Sequence, residues 1–382
     1  MKRPTVLFVT AILTHYREAF HVLVRDMLAE RGIDYRLVQG TPLPHEAAKA
    51  DTIQLDWSTT IPSRGIGPGG RALLWQPALL LLPGADLVVV TQENRLLLNY
   101  LLQVMPRWLR PRIGFWGHGR NFQARDPQSR AERWKRFWAT RCDWWFAYTE
   151  ESAQHVRSLG FPQERVTVFN NAVDTGALQR AAAALDPVET AALQARLGVA
   201  GDSVAIFVGG LYPDKRLDFL VAAADRVRAR LPDFALIVVG GGEDREKLDT
   251  LAASRPWLIV AGPRFGAEKA ALMQMARLFL MPGLLGLGVL DAGVMGLPVV
   301  TTRYPWHSPE IAYLRDGETG VVVPEWTSEE AYAEAVVALL LDEDRRAAMA
   351  AAARAHAAGF TIEAMARRFA DGAVAALAMP RR

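Results

Sequence analysis

Short apolar runs rich in β-branched residues alternate with longer helical patterns along this chain, and they do so in two successive sets. The first set is TVLFVT, DYRLVQ, DLVVVT, RIGFWG, WWFAYT and RVTVFN; the second, after residue 200, is SVAIFVGG, FALIVVGGG, LIVAG, LFLMPG, PVVTT and GVVVP. Between them lie segments with helical periodicity, such as REAFHVLVRDMLAERG and EESAQHVRSLG. Alternation of this kind builds parallel βαβ units, and strands apolar on both sides demand a sheet covered on both faces. The expected fold class is α/β, with two doubly wound Rossmann-like domains. If the two face one another, their strand C-termini line one central cleft, where open α/β sheets bind ligands.

The alanine-rich stretch DTGALQRAAAALDPVETAALQARLGVAGD has no strand pattern and places the domain boundary near residue 175. The expected domains are 1–174 and 175–360, with a C-terminal helix at 361–382 that can return to the first domain. A length of 382 residues suits two domains of ordinary size. With 51% hydrophobic and 22% charged residues the chain reads as soluble and globular rather than disordered. One cysteine, Cys142, excludes an intrachain disulfide and a cysteine-cluster zinc site, and fits a reducing cytoplasm. A net charge of +3 gives no reason to expect nucleic acid as a partner. The opening MKRPTVLFVTAIL imitates a signal peptide but runs into THYREAF, so a buried first strand is expected. No uninterrupted apolar segment reaches the roughly 18 residues of a membrane span.

Three strand–glycine–helix junctions in the second half carry the chemistry. In FVGGLYPDKRLDFLVAAADRV, Gly209 and Gly210 allow close backbone approach and Lys215 stands at the helix start, where amides favour an anion. A tight turn with a solvated lysine explains the same residues equally well. LIVVGGGEDREKL, with Gly240 at its head, is not the G-x-G-x-x-G fingerprint, and Glu243 or Asp244 can simply cap a helix. GLGVLDAGVMGLPVV gives a turn, a helix carrying Asp291, and a strand. A carboxylate in so apolar a setting needs a partner, and a ribose hydroxyl pair would serve.

These junctions, in order with ALIVVGGGEDREKL, LIVAG, ARLFLMPG, DAGVMGLPVVTT and SPEIAYLRDGETGVVVP, resemble the C-terminal half of retaining family-4 glycosyltransferases of the GT-B fold. The upstream VTVFNNAVDTGAL resembles that family's N-G-V-D-T linker, with Ala172 for glycine, and ILTHYREAF resembles its H-Y-R opening. The resemblance implies that Lys215 binds the donor pyrophosphate, that Asp291 contacts the nucleotide ribose, and that Gly286, Leu287 and Gly288 turn backbone amides to the phosphates. It implies that Arg264 lies where the nucleobase pocket closes and that Glu310 faces the cleft. Two positions depart from the family pattern: its second phosphate cation is Gly210 here, and its first sugar-contacting acid is Gly283. Arg216 is a candidate replacement for the missing charge.

In the first half, His118 follows a strand in GFWGHGRNF and resembles the family's cleft histidine near the anomeric carbon and acceptor. His15, Tyr16 and Arg17 open the first helix, and Glu93 and Asn94 follow a strand in TQENRL. All five are candidate acceptor contacts, with capping and surface packing as the alternative for the first three. RAERWKRFWATRCDWW, with PRWLRPR upstream, reads either as a basic aromatic face for an anionic membrane or as a half-buried amphipathic helix. The spacing of Trp134, Phe137, Trp138 and Arg141 favours the second and predicts that they face the core.

The resemblance therefore implies a metal-independent, cofactor-free retaining hexosyltransferase, acting in the cytoplasm or at the inner face of the cell membrane. Its donor is a nucleotide-diphospho-sugar and its acceptor a glycan, glycolipid or lipid-linked sugar of bacterial surface polysaccharide or lipopolysaccharide synthesis. A small secondary metabolite as acceptor, a sugar-nucleotide 2-epimerase, and a degenerate non-catalytic binding subunit are the competing expectations.

Overall fold

The structure, a computed structural model, describes residues 2–43, 52–67, 73–121, 125–126, 128–199 and 201–380. The chain forms two compact units: Met1–Val173 together with Ile362–Arg382, and Asp174–Thr361.

The first unit runs β1 (Thr5–Thr10), α1 (Glu18–Ala29), β2 (Asp34–Gly40), β3 (Thr59–Ile61), β4 (Arg64–Ile66), β5 (Leu73–Trp75), β6 (Leu87–Thr91), α2 (Leu97–Val104), β7 (Arg112–Gly117), α3 (Arg130–Ala139), β8 (Trp144–Ala147), α4 (Glu150–Ser158) and β9 (Val166–Val168). Its sheet is parallel, in the order β3-β2-β1-β6-β7-β8-β9. The chain starts at β1, works outward to β3, then crosses back to β6, so the order reverses between β1 and β6. The six strands expected here all form. The additional β3, β4 and β5 are only three residues long: β4 is exposed throughout and pairs with β5 as an antiparallel hairpin outside the main sheet.

The second unit runs α5 (Thr175–Ala183), α6 (Pro187–Arg196), β10 (Val204–Val208), α7 (Leu217–Arg230), β11 (Ala235–Val239), α8 (Arg245–Ala252), β12 (Leu258–Gly262), α9 (Gly266–Met275), β13 (Leu278–Met281), α10 (Gly288–Met295), β14 (Val299–Thr302), β15 (Gly320–Val323), α11 (Glu329–Leu341) and α12 (Glu343–Ala357). The parallel order β12-β11-β10-β13-β14-β15 is that of a dinucleotide-type sheet, with its reversal between β10 and β13. The linker stretch breaks into two helices because Asp186 caps the second through its Oδ1 to the Val188 amide (2.7 Å) and Pro187 takes the first helical position. Asp342 caps α12 in the same way through the Arg345 amide (3.0 Å), so the aspartate pair at 342 and 344 marks a helix start.

The last helix, α13 (Ile362–Ala378), belongs to the first unit. Ile362, Met365, Ala366, Phe369, Ala370 and Ala373 form its buried stripe. The Phe369 ring lies 4.5 Å from Phe146 and 5.4 Å from Phe20, between centroids, and Arg31 pairs with Asp371 at 2.6 Å. No Cβ fits at Gly372, which lies against Thr167 and Phe146. No helix among the described residues is long and apolar enough to cross a membrane.

Candidate functional site

In each sheet the order reversal opens a crevice at the strand C-termini, and the loops leaving the two strands beside it fill that crevice. In the second unit these loops are 209–216 after β10 and 282–287 after β13.

The first loop is fastened by backbone. Gly209 N–H donates to Val239 O (3.0 Å), Leu211 N–H to Gly241 O (2.9 Å), and Asp244 N–H to Leu211 O (3.0 Å). A Cβ at Gly240 or Gly242 would strike the carbonyl oxygens of Gly209 and Leu211, so the glycine triplet lets two loops lie in direct contact. Asp244 occupies the N-cap of α8 without a side-chain cap bond. Lys215 ends a short 3-10 turn, Pro213–Lys215, and its side chain is buried. Its Nζ donates to Leu284 O at 2.6 Å. Burial pushes the ammonium down to about 8, against the opposing charge of Asp214.

The second loop is clamped on both sides. Leu284 N–H donates to Asp214 O (2.9 Å), Leu285 N–H to His307 Nδ1 (3.0 Å), and Ser308 N–H to Leu285 O (3.2 Å). Thr301 and Thr302 donate their hydroxyls to Met281 O and Pro282 O, both at 2.7 Å. The backbone bonds of α10 begin with Val289 N–H to Gly286 O and Leu290 N–H to Leu287 O. The amides of Gly286, Leu287 and Gly288 therefore precede them and are the unused donors of a helix start. A buried lysine and three consecutive amides at one switch point are donors of the kind that can receive an anion.

Position 283 cannot carry a side chain: a Cβ there would collide with the carbonyl oxygen of Asp214 and the backbone of Lys215. The absent acid is thus explained by contact between the two loops. At Gly210 a Cβ would come within 2.8 Å of the Tyr212 ring. Arg216 adopts a left-handed conformation (φ 57°), donates to Trp326 O, and stacks its guanidinium over Phe219 (4.0 Å) and Trp326 (4.9 Å). The cation suggested as a substitute at the phosphates is committed instead to this aromatic cage. Asp291 also has a protein partner, Lys269 on α9 at 2.6 Å, which meets the need for a partner that ribose hydroxyls were expected to fill. Glu310 is buried in the turn Pro309–Tyr313, while Arg264 stays half-exposed with Glu268 at 3.9 Å.

In the first unit the corresponding loops follow β1 and β6, and residues after β7 and β8 join them. His15–Arg17 is a 3-10 turn before α1; His15 and Tyr16 are exposed. Arg17 donates to Asn171 Oδ1 (2.6 Å) and Ala172 O (3.5 Å), and its guanidinium lies 5.8 Å from the rings of both Trp116 and Tyr148. The indole N–H of Trp116 donates to Tyr148 OH (2.6 Å), and His118 packs edge-on against the same Tyr148 ring at 4.2 Å. Burial, with the positive charges of Lys135 and Arg17, depresses His118 to about 3, so its imidazole is neutral at ordinary pH. Lys135 is itself pushed down by burial, with Glu132 and Glu93 opposing. Glu93 pairs with Arg95 at 2.8 Å. Asn94 spends its amide on Ala131 O (3.1 Å), which ties the β6 loop to the start of α3.

Arg17 and His118 thus meet around Tyr148, the Arg17 guanidinium also lies 5.0 Å from the Tyr16 ring, which His15 contacts edge-on at 5.9 Å, and Asn94 is turned to α3 instead. Trp116, Lys135, Tyr148, Asn171, Thr302 and His307 belong to these two sites although sequence reasoning does not single them out. Asn171 and His307 lie inside or beside the motifs VTVFNNAVDTGAL and SPEI, the one signal that marks them.

The expectation that α3 turns Trp134 and Phe137 to the core is wrong. They are 50% and 54% exposed, and on the turn after α2 Trp108 is 78% exposed and Leu109 56%. The helix is held to α2 through Trp138 and the indole N–H of Trp134: Tyr100 packs on Trp138 at 5.3 Å and accepts from Trp134 Nε1 at 3.0 Å, and Gln103 donates to Trp138 O at 2.8 Å. Arg141 caps the outer aromatic face, 4.1 Å above Phe137.

The family model for Glycosyltransferase Family 4 matches residues 23–177, and that for Glycosyl transferases group 1 matches 202–342. A GDP-mannose-dependent alpha-(1-6)-phosphatidylinositol monomannoside mannosyltransferase of Mycolicibacterium smegmatis is 35% identical over 182 residues, 44% of this chain and 47% of the relative. A D-inositol 3-phosphate glycosyltransferase of Nocardia farcinica is 31% identical over 226 residues, 56% and 48% of the two chains. The matches thus span about half the length of these relatives. The structure of Anabaena HepE with UDP-glucose superposes with a TM-score of 0.71 at 17% identity, over 97% of this chain and 99% of that one, which shows the shared GT-B fold. With one family model on each unit and that fold throughout, the chain belongs to the family-4, group 1 glycosyltransferases.

Proposed function

We propose that this protein is a retaining glycosyltransferase that moves a sugar from a nucleoside-diphospho-sugar to a glycan, glycolipid or lipid-linked acceptor in bacterial surface glycan synthesis. The observation that carries the reading is the anion site at the second switch point: buried Lys215 on Leu284 O, beside the amides of Gly286, Leu287 and Gly288. A departing diphosphate gathers negative charge on its oxygens as the bond to the sugar breaks. Fixed donors that need not reorganise stabilise that charge best. In a retaining transfer the acceptor attacks on the leaving-group face, so the departing phosphate itself can take the acceptor proton. That step asks for no protein base, and the reading assigns no metal or cofactor to it. Neutral His118 then serves as a hydrogen-bond partner for the acceptor, and Arg17 as a contact for acceptor or phosphate.

Asp291 and Glu310 stay assigned to the donor, Asp291 through the carboxylate oxygen that Lys269 does not take. The exposed Trp108, Leu109, Trp134 and Phe137, among Arg107, Arg133, Arg136 and Arg141, support contact with an anionic membrane and hence a lipid-bearing acceptor at its cytoplasmic face. The names of the relatives make GDP-mannose and UDP-glucose the first donors to try, and phosphoinositol lipids the first acceptors. The purified chain with each donor and a phosphatidylinositol acceptor in vesicles should release nucleoside diphosphate and form an α-linked product, read by NMR of the anomeric proton. Binding of the donor without turnover on any acceptor would favour a non-catalytic binding subunit, for which the closed position 283 is the motive.

A further inference from the structure

The loop after β13 is held at one dipeptide, and one side chain outside the family motifs completes the clamp. Leu284 N–H is taken by Asp214 O and Leu284 O by Lys215 Nζ. Leu285 O is taken by Ser308 N–H, and Leu285 N–H by the Nδ1 of His307. On its far side the His307 ring contacts Thr302 O through Nε2 at 2.8 Å. A carbonyl only accepts, so Nε2 carries the hydrogen and Nδ1 is left with the lone pair that Leu285 N–H requires. The two contacts select the same tautomer. Thr302 also donates its hydroxyl to Pro282 O, which closes a ring of contacts Pro282–Thr302–His307–Leu285. This ring spans the turn between the end of β13 and the unused amides of Gly286, Leu287 and Gly288.

We propose that His307 is a positioning residue of the donor site. It fixes the Leu284–Leu285 peptide, and through it both the carbonyl that aims Lys215 and the three amides that follow. The inference deepens the donor reading and rests on it for the ligand, but not for the loop. Without the Nδ1 acceptor, the Leu285 amide has no partner inside the protein and must turn to find one. Turning that peptide moves Leu284 O, the acceptor that holds the Lys215 ammonium, and re-aims Gly286 N–H. A histidine that only filled space could be exchanged for phenylalanine at no cost to the loop.

The test compares the full-length wild type with His307→Phe and His307→Gln, each first shown to be folded by its melting transition. Gln carries an acceptor oxygen and a donor nitrogen on one carbon and can restore both contacts; Phe keeps the bulk and restores neither. Amide exchange across 282–288, read without ligand, should speed up about tenfold in His307→Phe and return towards wild type in His307→Gln. Calorimetric affinity for UDP and GDP should fall about tenfold in His307→Phe and stay within about threefold of wild type in His307→Gln. Wild-type exchange and wild-type affinity in His307→Phe would overturn the proposal, and so would a Gln variant no better than Phe. If the wild type binds neither nucleotide, the donor reading fails, and the exchange result alone judges whether His307 holds the loop.

Discussion

The two switch points of this molecule are built from different materials. That of the second unit is mostly backbone: loop amides bonded to loop carbonyls, glycines where chains touch, and one buried lysine. That of the first unit is mostly side chain: Arg17, Trp116, His118, Tyr148 and Asn171 in mutual contact, with Lys135 and Glu93 beside them. Backbone donors recognise what every nucleoside diphosphate shares, while a constellation of side chains can differ from one relative to the next. On the proposed function, the second unit takes the constant part of the substrate and the first unit the variable part.

The sharpest way to break this contrast is at Lys215. Lys215→Ala should lower donor kcat/KM about 10²–10³-fold, the scale for removing one fixed donor from a developing oxyanion. Acceptor KM should hardly change. Next is Gly283→Glu, which installs the acid of the family pattern. Because the position is closed by Asp214 and Lys215, it should not gain a sugar contact and should instead cost about 1–3 kcal/mol, read as a fall in thermal stability and in nucleotide binding. On the other side, Arg17→Ala should raise acceptor KM about tenfold while nucleotide affinity stays within about twofold, since its partners Asn171 and Ala172 lie in the first unit. A shift in nucleotide affinity instead would dissolve the division of labour.

Acidity separates the two sites by smaller effects. Lys215 is charged below about 8 and neutral above it, so nucleotide affinity in the free protein should decline as pH rises through that value. The bound diphosphate favours the charged form and displaces the limb upward. His118 stays neutral down to about 3, so kcat/KM between pH 5 and 7 should show no limb that His118→Asn removes. The same depression has a stability consequence. A histidine neutral when folded but of ordinary basicity when unfolded loses folding free energy as pH falls below about 6.5. His21, buried on Tyr35 OH at 2.7 Å and depressed to about 3, adds to that acid sensitivity. Arg216→Ala should have the least effect on the donor, within about threefold, because its guanidinium is stacked on Phe219 and Trp326; its loss should appear in melting temperature.

The same contrast explains which features are legible in the amino-acid sequence. Strands and glycine junctions leave a local trace, so the twelve expected strands form, and the lysine and glycine loops fall at the switch point. Short β3 to β5 leave none, because three residues with at most one buried side chain each are too few to show a period. Partners that meet across the fold leave none either. Nothing near Asp291 announces Lys269, and nothing near Arg216 announces Trp326. The outward face of Trp134 and Phe137 is missed because helical spacing tells which residues share a face, not which way the face turns.

The central claim is that Lys215 and its neighbouring amides form the diphosphate site. Titration calorimetry of UDP and GDP against the wild type and a folded Lys215→Ala variant tests it most directly. The account predicts that the wild type binds at least one of them and that the variant binds it about a hundredfold more weakly. Equal affinity in the two proteins would contradict it.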